Sequence, residues 1–349
     1  MKPLSSAIRI LVIASAFLIP VGSVQGVESP AGSPSSTPWI WPLPPEKPRV
    51  QHIQTVITPA DLGVKKGFFG KIWEFVAGED TADRILVPHG VVADGEGRVY
   101  VADWGSALIH CFNFEKKKYF NFYKTRGGVL ASPIGIAVDG DGLVYVSDSI
   151  LRRVFVFKDG FFGVKNVLVI GDDRMVRPTG IAISKKERSL YVVDTGGHRV
   201  DVFDLAGKRR FSFGAQGSEN GQFNYPTHIA LDAAGDVYVM DSLNFRVQIF
   251  DRNGAYLSQF GGNGTSINDL MKPKGIAVDS EGHIWISDSL RNSIQVFDRQ
   301  GRLLLIFGRI GIERGQFNFP AGMYFDTRDR LIVADSYNYR IQLFQYLKE

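Results

Sequence analysis

The sequence predicts an all-β protein, a single six-bladed β-propeller. Three observations predict it. One motif recurs six times at a near-constant interval. Each copy is a set of short β-branched runs divided by turn residues. The last copy lacks one run, which the N-terminal stretch can supply.

The motif copies are Pro88-His-Gly-Val-Val-Ala-Asp94, Pro133-Ile-Gly-Ile-Ala-Val-Asp139, Pro178-Thr-Gly-Ile-Ala-Ile-Ser184, Pro226-Thr-His-Ile-Ala-Leu-Asp232, Pro273-Lys-Gly-Ile-Ala-Val-Asp279 and Pro320-Ala-Gly-Met-Tyr-Phe-Asp326. Their prolines are 45, 45, 48, 47 and 47 residues apart. A second run closes on Asp103, Asp148, Asp194, Asp241, Asp288 or Asp335. A third follows, as in Arg246-Val-Gln-Ile-Phe250, and a fourth ends in Phe-Gly at Gly214, Gly261 and Gly308. Runs of about five residues, β-branched or aromatic and bounded by Gly, Asp and Asn, are strands rather than helices. Turns such as Asp251-Arg-Asn-Gly254 set Asp at the start and Gly where positive φ is needed. Four strands at this period make a propeller blade. A linear solenoid would need distinct capping repeats, and the sequence shows none.

The sixth copy reaches Glu349 after its third run, so its fourth strand is expected from upstream of Pro88. Two segments compete. Lys71-Ile-Trp-Glu-Phe75 ends 13 residues before Pro88, the interval that separates Phe213, Phe260 and Phe307 from their own prolines. Val50 to Ile57 has an extended composition, and if it is the strand, Phe68–Phe75 is free to form a short amphipathic helix. The spacing favours Lys71–Phe75, but both stay open.

The pattern Pro-x-Gly-Ile-Ala-Val-Asp, then Tyr-Val-Ser-Asp, then Asn-x-Arg-Val-Gln-Ile-Phe-Asp resembles the NHL repeat over roughly residues 71–349. The strongest copies are Asp241-Ser-Leu-Asn-Phe-Arg246 and Asp335-Ser-Tyr-Asn-Tyr-Arg340. Asp194-Thr-Gly-Gly-His-Arg199 keeps Asp and Arg, blade 5 departs at Arg291, Asn292 and Ser293, and blade 1 is weakest at Trp104-Gly-Ser-Ala. The resemblance implies a propeller, in the form of an exported bacterial protein, and leaves function open. Propellers of this kind serve as binders, RNA readers, sensors and enzymes.

Composition narrows the classes. At 44% hydrophobic and 22% charged, the chain is globular in kind. One cysteine, Cys111, excludes an intramolecular disulfide and cysteine-cluster metal sites. Between His110 and Phe112, it reads as a buried, inert thiol. The net charge is +4, and loss of Lys2 and Arg9 would leave +2, well short of a nucleic-acid footprint. No nucleic acid is therefore expected as a partner, although Arg152, Arg153, Lys185, Lys186, Arg188, Lys208, Arg209 and Arg210 gather in blades 2 and 3.

Residues 1–26 read as a signal peptide: Lys2 and Arg9, an uncharged run from Ile10 to Ile19, then Val24-Gln25-Gly26 at the cleavage point. The run is too short to span a bilayer. A periplasmic or extracellular location follows, with no stable membrane insertion after cleavage. Residues 27–49 read as a linker, carrying seven of the sixteen prolines, with Trp39 and Trp41 expected to pack back on the body. Residues 50–349 form the propeller.

Recurrent residues first receive structural roles. Asp103, Asp148, Asp194, Asp241, Asp288 and Asp335 can pair across a short loop with Arg199, Arg246 or Arg340, aided by Asn244 and Asn338. The Asp-x-x-Gly turns at Asp94, Asp139, Asp232 and Asp279 lack the further oxygens of a calcium loop and read as hairpin turns.

Function should show where the repeat is broken. His228 replaces the motif glycine, and His89 follows the first proline. Both begin innermost strands, so both can face the central channel. No catalytic residue is assigned and no cofactor is expected. His89 and His228 are the only candidates for a divalent ion in the channel, where zinc wants a third ligand. The favoured function is a non-catalytic scaffold that binds a protein, peptide or glycan at the channel mouth through His89, Trp104, Ile150, Thr179, His228, Lys274, Leu290 and Tyr337. The alternative, drawn from the resemblance, is a metal-dependent lyase or lactonase working in the channel.

Overall fold

The computed structural model describes residues 39–64, 83–160, 163–264 and 266–348. The signal segment, residues 27–38 of the linker and the Lys71–Phe75 strand candidate lie outside the described residues.

Six antiparallel sheets stand around one axis. Blades 1 to 5 are four-strand meanders, blade 6 is a three-strand meander completed from upstream, and each first strand opens on a motif proline. Blade 4 shows the plan: Pro226–Leu231, Val237–Asp241, Arg246–Phe250 and Tyr256–Gly261, in that order outwards. The innermost strands neighbour one another around the whole circle, Pro320–Phe325 returning to Pro88–Ala93. Six apolar clusters fill the six gaps between blades. Second and third strands are buried on both faces, as in Val237–Asp241 and Arg246–Phe250. This explains their continuous apolar runs, because each blade is covered on both sides by its neighbours.

The motif glycine is required by this crowding. A Cβ on Gly135 would collide with the Thr179 carbonyl oxygen of the next blade. Glycine lets neighbouring backbones close in on the axis.

The ring is fastened by β2 (Val50–Val56), which pairs antiparallel with Arg340–Tyr346 as the fourth strand of blade 6. Its register runs from Val50 opposite Tyr346 to Val56 opposite Ile341, with an irregularity between His52 and Gln54. The interval argument for Lys71–Phe75 is thereby corrected, because the place in the sheet is taken by the segment chosen on composition. Outside β2 lies β1 (Ile40–Trp41), so the proline-rich stretch contributes a fifth strand. Trp41 packs on Phe307 and Phe344, with ring centroids 5.6 and 6.0 Å away. Trp39 remains partly exposed. No helix among the described residues is long and apolar enough to cross a membrane.

In this meander, connections from second to third strand and from one blade to the next lie on one face. Turns from first to second and from third to fourth strand lie on the other. We call these the entry face and the turn face. On the turn face Asp139 Oδ1 accepts from the amides of Asp141 and Leu143, both at 2.9 Å, closing a hairpin turn.

Candidate functional site

The entry face is organised by the six aspartates that end the second strands. Each accepts from the backbone amide two residues before its blade's proline: Asp103 from Leu86, Asp148 from Ala131, Asp194 from Val176, Asp241 from Asn224, Asp288 from Met271 and Asp335 from Asn318, at 2.6–3.1 Å. All six are fully buried. Arg246 donates from Nε to Asp241 at 2.8 Å and from Nη2 to the Glu219 and Gln222 carbonyls. Arg340 repeats the pattern with Asp335, Glu313 and Gln316. Asn244 and Asn338 donate to the same aspartates at 2.8 and 2.9 Å. In blade 3 Arg199 bridges Asp194 and Asp201. These carboxylates and guanidinia are spent on holding loops.

What the loops present outwards is apolar. Ile150, Leu243, Leu290 and Tyr337 occupy one position, two residues after the aspartate, and Trp104 sits one residue after Asp103. The five are 46–66% exposed. Blade 3 has Gly196 there, and Val176 fills the place, since a Cβ on Gly196 would meet it. Tyr337 leans on Phe319 with centroids 4.8 Å apart and still exposes half its surface. Tyr225, Ile267, Ile310 and Ile312 extend the apolar zone along the blade-to-blade connections of this face. Towards the turn face, the exposed large apolar residues among the described residues are Leu43, between β1 and β2, and Leu257 and Leu304, at the near ends of the fourth strands of blades 4 and 5.

Inside this crown the repeat is broken. The rings of His89 and His228 stack with centroids 5.1 Å apart and planes inclined by 15°. His228 is buried, and His89 is part-buried. Nδ1 of His89 and both ring nitrogens of His228 are buried with no hydrogen-bond partner. Burial, then the Lys274 ammonium, lowers His228 to about 3. His89 is held well below its ordinary value by burial, His228 and Lys274. Both rings are therefore neutral at pH 7. Lys274 is itself lowered, by burial first and then by Lys272 and Arg177.

Two other expectations meet the geometry here. Thr179 is buried; its hydroxyl hydrogen-bonds the Thr195 hydroxyl at 2.6 Å and donates to the Thr227 carbonyl at 2.9 Å, so it joins blades rather than facing the mouth. His89 and His228 are two ligands at most, fewer than the three protein ligands that zinc takes. Among the described residues no three His, Cys, Asp or Glu side chains come together.

Below the pair runs an axial cavity of about 250 Å³. Its lining combines the apolar side chains of Ile136, Ile181, Ile229, Ile276 and Met323 with polar surface of similar extent, and Lys185 belongs to the turn-face end. The basic residues of blades 2 and 3 do not make one patch. Arg152 and Arg153 are on the entry face, tied to Met175 and Asp173, whereas Lys185, Arg188 and Arg210 are at the turn face. Cys111 is buried, which pushes its thiol up to about 12.

The family model for the NHL repeat matches residues 86–112, 223–250, 270–297 and 317–344. Four of the six blades are NHL repeats. Within this NHL propeller the matched copies are blades 1, 4, 5 and 6. The Drosophila melanogaster protein brain tumor is 30% identical over 80 residues, 23% of this chain. That stretch is 7% of the fly protein's length. A Bacteroides thetaiotaomicron protein of unknown function has a solved structure with TM-score 0.61 at 16% identity, covering 85% of this chain and 75% of that one. Virginiamycin B lyase from Staphylococcus aureus has TM-score 0.55 at 16% identity, covering 76% of this chain and 97% of the lyase. At such identities the two structures share the fold of the NHL propeller and nothing finer.

Leu243, Val176 and Tyr225 were missed as entry-face residues in the sequence. The signal for Leu243 was its place two residues after Asp241, equivalent to Ile150 and Leu290.

Proposed function

We propose that this protein is an exported, non-catalytic recognition scaffold that binds a protein or peptide segment on the entry face. One observation carries the reading. Exposed large apolar side chains are concentrated on that face, in corresponding loops of five blades, while the turn face carries few among the described residues. Apolar groups clustered in otherwise polar loops mark interaction surfaces. The aspartates beneath them are committed to the amides of their own blades, which keeps the loops rigid and reduces the ordering cost of binding. The neutral, stacked histidine pair has no third histidine, cysteine or carboxylate beside it that could complete a metal site among the described residues.

A photo-crosslinking residue placed at Trp104 tests the face against one placed at Ala234 on the turn face. Adducts with a peptide or protein partner from position 104 alone are expected. Equal adducts from both positions, or a glycan as the only adduct, would overturn the reading. Stoichiometric zinc or calcium with a turnover lost in the His89→Ala, His228→Ala double variant would overturn its non-catalytic part. Export predicts a native chain that begins at Val27 by mass spectrometry; recovery of intact Met1 defeats cleavage.

A further inference from the structure

Resting on the recognition face proposed above, we propose that His89, His228 and Lys274 form a carboxylate-binding subsite at its centre, which seats the C-terminal carboxylate of the bound peptide.

Three observations converge on this point of the molecule. The first is unmet hydrogen-bonding capacity. Buried polar atoms are paired in the great majority of cases, and each exception calls for a reason. Three ring nitrogens of two touching imidazoles make no hydrogen bond of ordinary geometry here, the backbone of Ile134 beside His89 and that of Lys274 beside His228 giving only a weak contact. His228 is the more telling, because it is 8% exposed and stands where every other blade has glycine. A neutral imidazole always carries one N–H, so each ring has a donor to offer.

The second is uncompensated positive charge. Lys274 and Arg177 lie close enough to depress the basicity of His89, Lys274 does the same to His228, and Lys272 acts on Lys274. None of the three cations forms an ion pair among the described residues. The nearest aspartates of the face are already committed: Asp194 accepts from the Val176 and Arg177 amides, and Asp288 from those of Met271 and Lys272. An incoming anion would therefore meet donors and cations with no competing carboxylate.

The third is placement. The pair lies at the hub, inside the crown formed by Trp104, Ile150, Leu243, Leu290 and Tyr337. A chain end pointing down the axis can set its carboxylate on the two rings and Lys274 while its apolar side chains spread over the crown. Both rings are neutral at pH 7 and only Lys274 is partly buried beside them, whereas Lys272 and Arg177 are exposed. One ammonium matches a monoanion better than a dianionic phosphate.

The test uses acetyl-Leu-Leu-Phe as the free acid and as the carboxamide, with inorganic phosphate and acetate as controls. Calorimetry gives affinities, and the Cε1 protons of His89 and His228 report occupancy by NMR. The free acid should bind about tenfold tighter than the carboxamide, the value of one charge-assisted hydrogen bond. His228→Gly and Lys274→Ala should bring that ratio to about one and leave carboxamide affinity unchanged. Both variants adopt residues found at the same position in other blades, Gly275 and Ala321, so they are expected to fold, and melting curves check this. Trp104→Ala should weaken acid and amide alike. Equal binding of acid and amide overturns the subsite and leaves the recognition face standing. A ratio that survives both variants overturns the assignment of residues. Absence of binding by both peptides, or a histidine response to phosphate alone, overturns the carboxylate subsite, while the crosslinking at position 104 judges the face independently.

Discussion

His110 places Nε2 3.2 Å from Oδ2 of Asp103, and both side chains are fully buried. A carboxylate only accepts, so Nε2 holds the proton, and Nδ1 accepts from the Tyr119 hydroxyl at 2.8 Å. Burial alone would raise the Asp103 carboxyl. The His110 ring and the amides of Leu86 and Val87 outweigh it and hold the group below its ordinary value. In blades 4 and 6 the equivalent contact is made by Gln248 and Gln342, each donating to its aspartate at 3.1 Å. Blade 1, which lacks the Asn and Arg of the repeat, anchors its aspartate with histidine instead.

His110→Gln should therefore fold with a stability loss under about 1.5 kcal/mol, since glutamine supplies the same donor. His110→Ala should cost about 2–4 kcal/mol, because it leaves a cavity and a buried carboxylate short of a donor. Urea unfolding of the two variants checks this; equal losses would show that the ring contributes packing alone.

Arg340→Lys should cost about 1–3 kcal/mol despite the retained charge. Arg340 donates from Nε to Asp335 and from its terminal nitrogens to the Ile312, Glu313 and Gln316 carbonyls. An ammonium cannot reach this fan of acceptors from one stem. The loss is read by urea unfolding. The reverse case is Lys348→Arg, where an exposed ammonium reaches Asp329 from the surface and no measurable change is expected.

The repeat made most of the fold legible because every blade uses the same chemistry at the same positions. Proline opens the inner strand, glycine meets the next backbone, and aspartate closes the second strand. The fastening strand was harder. Val50–Val56 has no neighbour in its own blade with which to share an interval, so spacing pointed to Lys71–Phe75. The entry face was half legible. Trp104, Ile150, Leu290 and Tyr337 stand out as apolar residues in loops. Leu243 is hidden inside the best repeat copy, where it reads as part of the structural motif. Thr179 was misplaced because a residue beside a motif glycine can point to the axis or into the next blade. The orphaned nitrogens of His89 and His228 are invisible in sequence, since they depend on which partners fail to arrive.

Trp41→Ala should lower stability by about 2 kcal/mol. The indole sits against Phe307 and Phe344 and over Gly315, whose φ of +70° leaves no room for a side chain beneath it. Deletion of residues 39–56 should do more. It bares the edge of Arg340–Tyr346 and should give concentration-dependent association. Thermal melts and light scattering read both effects, and a deletion that melts as the parent does would defeat the fastening role of β2.

Acid should destabilise the fold through its buried histidines. His228 is lowered to about 3 and His52 to about 4, the latter by burial and then by Arg314 and Arg340. The unfolded chain protonates these rings near pH 6.5, whereas the folded chain does not. Their contribution is complete above pH 6.5 and is lost as pH falls towards 4 and 3. For His228 the loss between pH 6.5 and 5 is at most about 2 kcal/mol. His228→Gly should therefore narrow the stability difference between pH 7.5 and pH 5, measured by urea unfolding. An unchanged difference would mean that the ring is already protonated in the native state.

The pairing of Val50–Val56 with Arg340–Tyr346 has a consequence in time. A ribosome makes β2 before the first blade and its partner strand only after five blades are complete. Throughout synthesis the earlier segment must wait as an unpaired strand while five blades appear behind it. Blade 1 likewise waits for blade 6 to cover its outer flank. Contacts between opposite ends of a chain form slowly, because the loop they close is long. A chain stopped anywhere before Arg340 keeps a waiting strand with nothing to receive it. Such unfinished products carry an adhesive edge, and it falls to the cell's holding and clearing machinery to shield or remove them.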